Sequence, residues 1–232
     1  MLEVKNLSVW YTKDRPVICH ADVTLKDHQV VGLLGVNGAG KTTLINTLSG
    51  VHTEFEAEQI LQDGARIGFS DDAFKRRRYT VFTEEQAFGY WSFSEYKKYM
   101  EKVYQTRLDE QYVQYLVEGF RFQEYREQYM NKLSTGNRKK VFLILGFALR
   151  LPLLILDEPL DGLDFGAAEF LYEVLRGHKS CGSVLMSSHI AESIEMTCDE
   201  VLLLNQGVMT SKEIQDGTDI RKEVKEWLRD GD

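Results

Sequence analysis

Apolar positions fall into three textures along the chain. From residue 2 to 34 they come as short runs, Leu7-Ser8-Val9-Trp10-Tyr11, Val17-Ile18 and Val23-Thr24-Leu25, parted by polar turns. That spacing predicts a small β-layer ending in the strand Val30-Val31-Gly32-Leu33-Leu34. A helix follows over 42–50, stopped by Gly50, and Ala65-Arg66-Ile67-Gly68-Phe69 reads as another strand. Between about 74 and 140 the texture turns helix-compatible and rich in Tyr and Phe, with glycine only at Gly89, Gly119 and Gly136. This predicts a helical insertion. From 153 onward apolar strands alternate with helical segments (153–156, 165–176, 183–187, 190–198 and 201–204), the pattern of a parallel sheet covered on both faces. The polar tail, 211–232, is expected to form a surface helix over 219–229.

Composition narrows the classes. With 232 residues, 43% of them hydrophobic and 28% charged, the chain has ample material for a core. It is expected to form a single domain over 1–232, with the helical subdomain inserted over about 74–140. A net charge of −8 argues against a broad nucleic-acid-binding face, so no nucleic acid is expected as a partner. Cys19, Cys181 and Cys198 are odd in number and far apart, which reads as reduced, structural and cytosolic. The start Met1-Leu2-Glu3-Val4-Lys5 lacks a signal-peptide pattern, and no run approaches ~18 apolar residues. Membrane attachment is therefore expected only through a partner.

The chemistry is concentrated in a few motifs. Gly35-Val36-Asn37-Gly38-Ala39-Gly40-Lys41-Thr42 fits the phosphate-loop pattern, between an apolar strand and the helix start Thr42-Thr43-Leu44-Ile45. Its glycines let successive N–H groups face one anion, and the helix N-terminus adds partial positive charge. Lys41 would reach the β- and γ-phosphates of a nucleoside triphosphate, and the Thr42 hydroxyl would bind Mg²⁺. In Leu153-Leu154-Ile155-Leu156-Asp157-Glu158-Pro159 a buried strand delivers two carboxylates to its carboxyl end, where open parallel sheets bind ligands. Taken alone the pair is a solvated strand end. Taken with the phosphate loop, Asp157 is placed to hold Mg²⁺ and Glu158 to polarise an attacking water. Leu133-Ser134-Thr135-Gly136-Asn137 precedes an apolar helix that Ser134 can cap, and the run Ser187-Ser188-His189 follows another sheet strand, which ends at Met186.

The order of these motifs, with Gly162-Leu163-Asp164 after the carboxylates, resembles the ATP-binding-cassette (ABC) ATPases from Leu2 to about Met209. The resemblance implies an α/β fold: a P-loop NTPase core with a mixed/parallel sheet, an N-terminal antiparallel β-layer and an inserted α-helical subdomain. It implies that Tyr11 stacks on adenine, that residues 35–43 including Thr43 cradle the phosphates, and that the ligands are ATP and Mg²⁺. Ser134, Gly136 and Asn137 match the signature that engages the γ-phosphate of an ATP held by the opposite subunit. Asp164 resembles the D-loop aspartate, and His189 the switch histidine that positions water with Glu158. Two ATPs would lie between two protomers, in a homodimer or with a paired second ATPase subunit.

The chain departs from the family pattern at Thr135, at Asn137 and at the Q-loop, where Ile67-Gly68-Phe69-Ser70-Asp71-Asp72 aligns Asp72 with the usual glutamine. Asp72 is expected near Mg²⁺, with Gln86 as an alternative. Within the family the single short cassette resembles exporters whose ATPase and polytopic membrane subunits are separate chains, placing this one in the cytoplasm on the inner face of the membrane. The other readings are a soluble ABC ATPase acting on the ribosome, nucleic acid or Fe–S assembly and, on account of Asp72, a non-hydrolysing, ATP-gated interaction module. Phe88, Tyr90, Trp91, Phe93, Tyr96, Tyr99 and Tyr104 belong either to the core of the insertion or to a groove for the membrane subunit. Lys75-Arg76-Arg77-Arg78 reads as a solvated loop or as a contact with that subunit or with lipid.

Overall fold

The short N-terminal runs find one another across a hairpin. In the computed structural model, which describes residues 1–83 and 88–214, β1 (Leu2–Thr12) and β2 (Arg15–Leu25) pair antiparallel from Leu2↔Leu25 to Thr12↔Arg15. The chain then enters β3 (Val30–Leu34) and α1 (Lys41–Leu48) before returning through β4 (Phe55–Glu56), β5 (Gln59–Gln62) and β6 (Ala65–Arg66). These complete an antiparallel layer of order β2-β1-β5-β6, with β4 also on β1. A short helix α2 (Asp72–Lys75) leads to β7 (Arg78–Val81).

Helices α3 (Phe93–Tyr104), α4 (Glu110–Gly119) and α5 (Thr135–Ala148) follow. The first starts with a reciprocal Ser92–Glu95 capping box and the second with the Asp109 side chain accepting from Gln111 and Tyr112 N–H. The remaining elements are β8 (Leu153–Leu156), α6 (Phe165–His178), β9 (Ser183–Ser188), α7 (Ala191–Thr197), β10 (Glu200–Asn205) and β11 (Val208–Glu213). The second sheet has the order β11-β10-β3-β9-β8-β7, parallel except for the antiparallel edge β11.

Alternation along the central strands divides the core in two. Leu153 and Ile155 of β8 face α1 and the antiparallel layer, joining Leu44, Ile45, Val4 and Val9. Leu154 and Leu156 face the opposite side, against Val141, Ile144 and Leu145 of α5 and Leu171 of α6. A strand buried on both faces needs apolar residues at every position, which is why 153–156 shows no polar alternation.

The structure revises the sequence reading in two places. β7 lies inside the span 74–140 expected to be helical and is the edge strand of the parallel sheet, paired with β8. Of the seven aromatics in that span, Phe93 and Tyr96 are buried while Tyr90 is 81% exposed. Phe88, Trp91 and Tyr99 form a ring cluster with Tyr96, and Tyr104 is partly buried against the core. The tail helix expected over 219–229 lies outside the described residues.

The basic run 75–78 is the second revision, because it is not one loop. Lys75 ends α2, whereas Arg78 opens β7 and is only 4% exposed. Its Nη2 donates to the carbonyl oxygens of Phe69 (2.8 Å) and Ser49 (2.5 Å), and its guanidinium lies 4.3 Å from the centre of the Phe74 ring. Burial pulls its pKa down to about 10, so it stays charged at neutral pH and ties the end of α1 to β7. Arg78→Ala would leave two carbonyls short of a donor and open a hole beside Phe74. Urea unfolding should show a loss of roughly 2–4 kcal/mol, whereas Arg77→Ala, on an exposed side chain, should change stability by less than about 1 kcal/mol.

Candidate functional site

Parallel pairing brings the carboxyl ends of β3, β8 and β9 side by side, and the motifs read from the sequence leave the sheet there. Leu34 is opposite Ser188, and Leu156 is opposite Met186. A cleft of about 850 Å³ opens over these ends, lined by Tyr11, Lys41, Thr42, Asp157, Glu158 and His189 among others.

The phosphate loop crosses the floor of this cleft. Gly40 is the N-cap of α1 with φ 108°, a conformation that a side chain would strain. Asn37, Gly38, Gly40 and Thr43 also line the cleft, while Gly35, Val36 and Ala39 shape the loop without lining it. Lys41 is folded across its own loop, its Nζ donating to Gly35 O at 2.8 Å. The same ammonium is 3.6 Å from Glu158 Oε1. Tyr11 is 63% exposed, its hydroxyl 3.2 Å from Thr43 Oγ1 and its ring edge-on to His52.

Asp157 is 1% exposed. Its Oδ2 accepts from Thr42 Oγ1 at 3.1 Å and its Oδ1 from Ser187 Oγ at 2.7 Å. A hydroxyl and a carboxylate side by side, both hard oxygen donors, make a set suited to Mg²⁺ beside a phosphate chain.

Glu158 has φ 47°, a left-handed backbone uncommon for a residue with a side chain. Three contacts hold it there. Its N–H donates to Ser187 Oγ at 2.8 Å, its carbonyl accepts from Lys139 Nζ at 2.7 Å, and its Oε2 is 3.0 Å from His189 Nδ1. The carboxylate and the imidazole are therefore already paired at the mouth of the cleft.

The signature residues gather elsewhere. Ser134 caps α5 by accepting from Asn137 N–H at 3.2 Å, and Asp164 caps α6 by accepting from Ala167 N–H at 3.0 Å. Lys140 Nζ joins the two helix starts by donating to Asp164 Oδ2 at 2.7 Å, and this contact comes first among those holding the Asp164 pKa below the usual carboxylate value. A Cβ at Gly136 would stand 2.1 Å from Gly162 O, so only glycine lets α5 lie on the loop after Glu158. None of Ser134, Gly136, Asn137 and Asp164 lines the cleft.

Asp72 requires a correction. It is the first residue of α2, with a side chain 86% exposed and 3.7 Å from Lys75, and it does not line the cleft. The strand before it, β6, belongs to the antiparallel layer and not to the phosphate loop's sheet. The chain reaches the cleft instead at the end of β7, through Phe82 and Thr83, whose Oγ1 donates to Asp157 O at 3.3 Å. Gln86 lies outside the described residues. The sequence reading also passed over Asp161, which lines the cleft, and Ser187, which donates to the Asp157 carboxylate and accepts from the backbone N–H of Glu158. Ser187 was within reach as the third-last residue of the Ser-Ser-His run, whereas a four-residue strand beginning with arginine gave no signal for β7.

The chain is similar to known proteins along nearly its whole length. Residues 19–161 match the family model for the ABC transporter domain. A relative from Bacillus subtilis, the putative ABC transporter ATP-binding protein AlbC, is 38% identical over 98% of both chains. The zinc import ATP-binding protein ZnuC of Alkalilimnicola ehrlichii is 29% identical over 89% of this chain and 75% of its own. Among solved structures, an ATP-binding subunit of an ABC transporter superposes with TM-score 0.86 at 26% identity, covering 97% of this chain and 98% of that one. An ATP-binding cassette solved as a dimer with ADP and Pi bound has the same fold, with TM-score 0.78 at 16% identity over 93% of this chain and 99% of that one.

The close approach of Gly136 to Gly162 makes a direct test of this geometry. Gly136→Ala should push the 158–164 loop off α5, with a stability loss of about 1–3 kcal/mol in urea and faster amide exchange across that loop. Gly177→Ala, where a Cβ meets nothing within 4 Å, should lose no stability.

Proposed function

The chain belongs to the ABC transporter family of ATP-hydrolysing cassettes, and from that premise we propose that it works as one half of a dimer that closes on ATP to drive a separate polytopic membrane subunit. The observation that carries this is the division of the site. Lys41, Thr42, Asp157, Glu158 and His189 converge on one cleft, while Ser134 and Gly136, at the start of α5, do not line it. A second cassette, supplying its own Ser134 and Gly136 to the first one's nucleotide, would complete the site, so the dimer and the active site form together.

Within the cleft each side chain has a task. Tyr11 offers its exposed ring to the base. The loop from Gly35 to Thr43 binds the phosphates through backbone N–H groups, and Lys41 exchanges its contact with Gly35 O for the β- and γ-phosphates. Thr42 and Asp157 would hold Mg²⁺, which neutralises phosphate charge when bound. Glu158 orients and deprotonates the attacking water, with His189 beside it. Asp164 reaches toward the opposite protomer from the start of α6. After hydrolysis the ligand that joined the two halves is lost and they separate, a swing passed on through the α3–α5 region.

The direction we propose is export, on the resemblance of the Leu-Ser-Thr-Gly signature and the Ser-Ser-His switch to exporters with separate membrane subunits. A zinc import ATP-binding protein also stands among the relatives, and in this reading the membrane subunit sets the direction. In this reading the chain lies on the cytoplasmic face, held there by its partner. Among the described residues no helix is long and apolar enough to cross a membrane.

Two experiments test the reading. Glu158→Gln should keep ATP affinity while turnover falls roughly 10²–10⁴-fold, and Lys41→Ala should weaken ATP binding by at least about tenfold. Equilibrium nucleotide binding and phosphate release separate the two effects, and an unchanged turnover in Glu158→Gln would remove it from the reaction. Tagged Glu158→Gln, purified from its own cell in mild detergent with ATP and Mg²⁺, should bring a polytopic membrane protein in stoichiometric amount. Recovery of ribosomes or nucleic acid in its place would favour the soluble ATPase.

A further inference from the structure

We propose that Lys139 is a positioning residue for Glu158, holding the left-handed turn that aims the carboxylate and fastening it to the helix that carries the signature residues of the same chain. The inference rests on the role proposed above for Glu158.

Glu158 adopts φ 47° without being glycine, and such a backbone persists only where its surroundings impose it. On the amide side, the Ser187 hydroxyl takes its N–H. On the carbonyl side, the oxygen accepts from Lys139 Nζ at 2.7 Å and from Asp161 N–H at 3.2 Å. Asp161 belongs to the same turn, so Lys139 is the carbonyl's brace from outside it. The lysine is 5% exposed, and the burial that lowers its pKa is opposed by Asp161, Asp157 and Glu158. A buried ammonium compensated by the carboxylates of the reaction centre is a costly arrangement for packing alone, since a methionine would fill the same space without desolvating a charge.

The position of Lys139 on α5 gives the contact its wider effect. Three residues of one helix face meet three points of the turn: Gly136 against Gly162, Lys139 against Glu158, and Lys140 against Asp164. The first turn of α5 and the turn holding Glu158 therefore move as one piece. Because the partner's nucleotide is read by Ser134 and Gly136 of that first turn, a shift of α5 on engagement reaches the carbonyl of this chain's own Glu158.

Lys139→Met keeps the length and removes the donor. Phosphate release should show kcat reduced at least tenfold, with the equilibrium dissociation constant for ATP within twofold of the unaltered chain. A purely structural defect would lower turnover whatever residue stands at 158, so the decisive comparison is with Glu158→Gln. In that background, measured by single-turnover hydrolysis at high protein concentration, Lys139→Met should lower the residual rate by less than twofold. An unchanged kcat in the single variant, or the same fractional loss in both backgrounds, would overturn the proposal. If Lys139→Met melts too low to assay, Lys139→Gln undergoes the same comparison under the same criteria. Should Glu158→Gln itself hydrolyse normally, the role of Glu158 fails. Should Glu158→Gln be inactive while Lys139→Met turns over normally, only the role of Lys139 fails.

Discussion

The site is organised around the buried carboxylate of Asp157. At 1% exposure its charge has lost most of its water, and it is tolerable only because both oxygens accept from hydroxyls, Thr42 on one side and Ser187 on the other. Those two donors stand on α1 and β9, so satisfying one charge fixes the phosphate loop, β8 and β9 relative to one another. The adjoining Glu158 is positioned by the same means, since Ser187 also takes its N–H. The oxygens that saturate Asp157 here belong to the set suited to a divalent cation. The chain's own hydroxyls thus hold the pocket's central carboxylate in place.

How far this could be read in the sequence depended on how local each feature was. The phosphate loop, the paired carboxylates and the Ser-Ser-His run are contiguous, and each follows a strand whose apolar run announces it. Residues whose role comes from distant packing left no such trace. Arg78 looks like one more basic residue in a basic run, yet it is buried because Ser49 and Phe69 turn their carbonyls toward it. Lys139 is one of three consecutive basic residues, and only the fold decides that it turns inward to Glu158. Asp72 shows the converse error. The apolar run before it does pack in a core, but in the one under the antiparallel layer, where Phe69 meets Phe55 and Phe74. Apolar periodicity announces burial without saying on which side of the molecule.

The helical region explains the aromatic crowding in similar terms. Phe93, Tyr96 and Phe122 are buried with Phe142 of α5, so most of that aromatic surface serves to fasten α3 and α4 onto a helix that is itself pressed on the parallel sheet. Tyr90 is the most exposed of the described aromatics in this region, at 81% in the turn before α3, and Tyr99, Tyr115 and Tyr129 are also exposed. A helix pair anchored in this way has little freedom to slide relative to α5. Motion of the region is therefore expected as a body, about the connections at the end of β7 and the start of α5.

Those two connections are where the chemistry is closest. The end of β7 touches Asp157 through Thr83, and the start of α5 touches the Glu158 turn through Gly136, Lys139 and Lys140. A rigid-body swing of the helical region about these points would act on the two carboxylates proposed to hold the cation and activate the water. The link runs in both directions, because a contact that lets nucleotide position the helices also lets the helices disturb the nucleotide. A cassette whose partner holds the helical region in the wrong orientation would bind ATP and yet misplace Glu158. In this fold the coupling between a distant surface and hydrolysis thus requires no additional element beyond the contacts that already build the site.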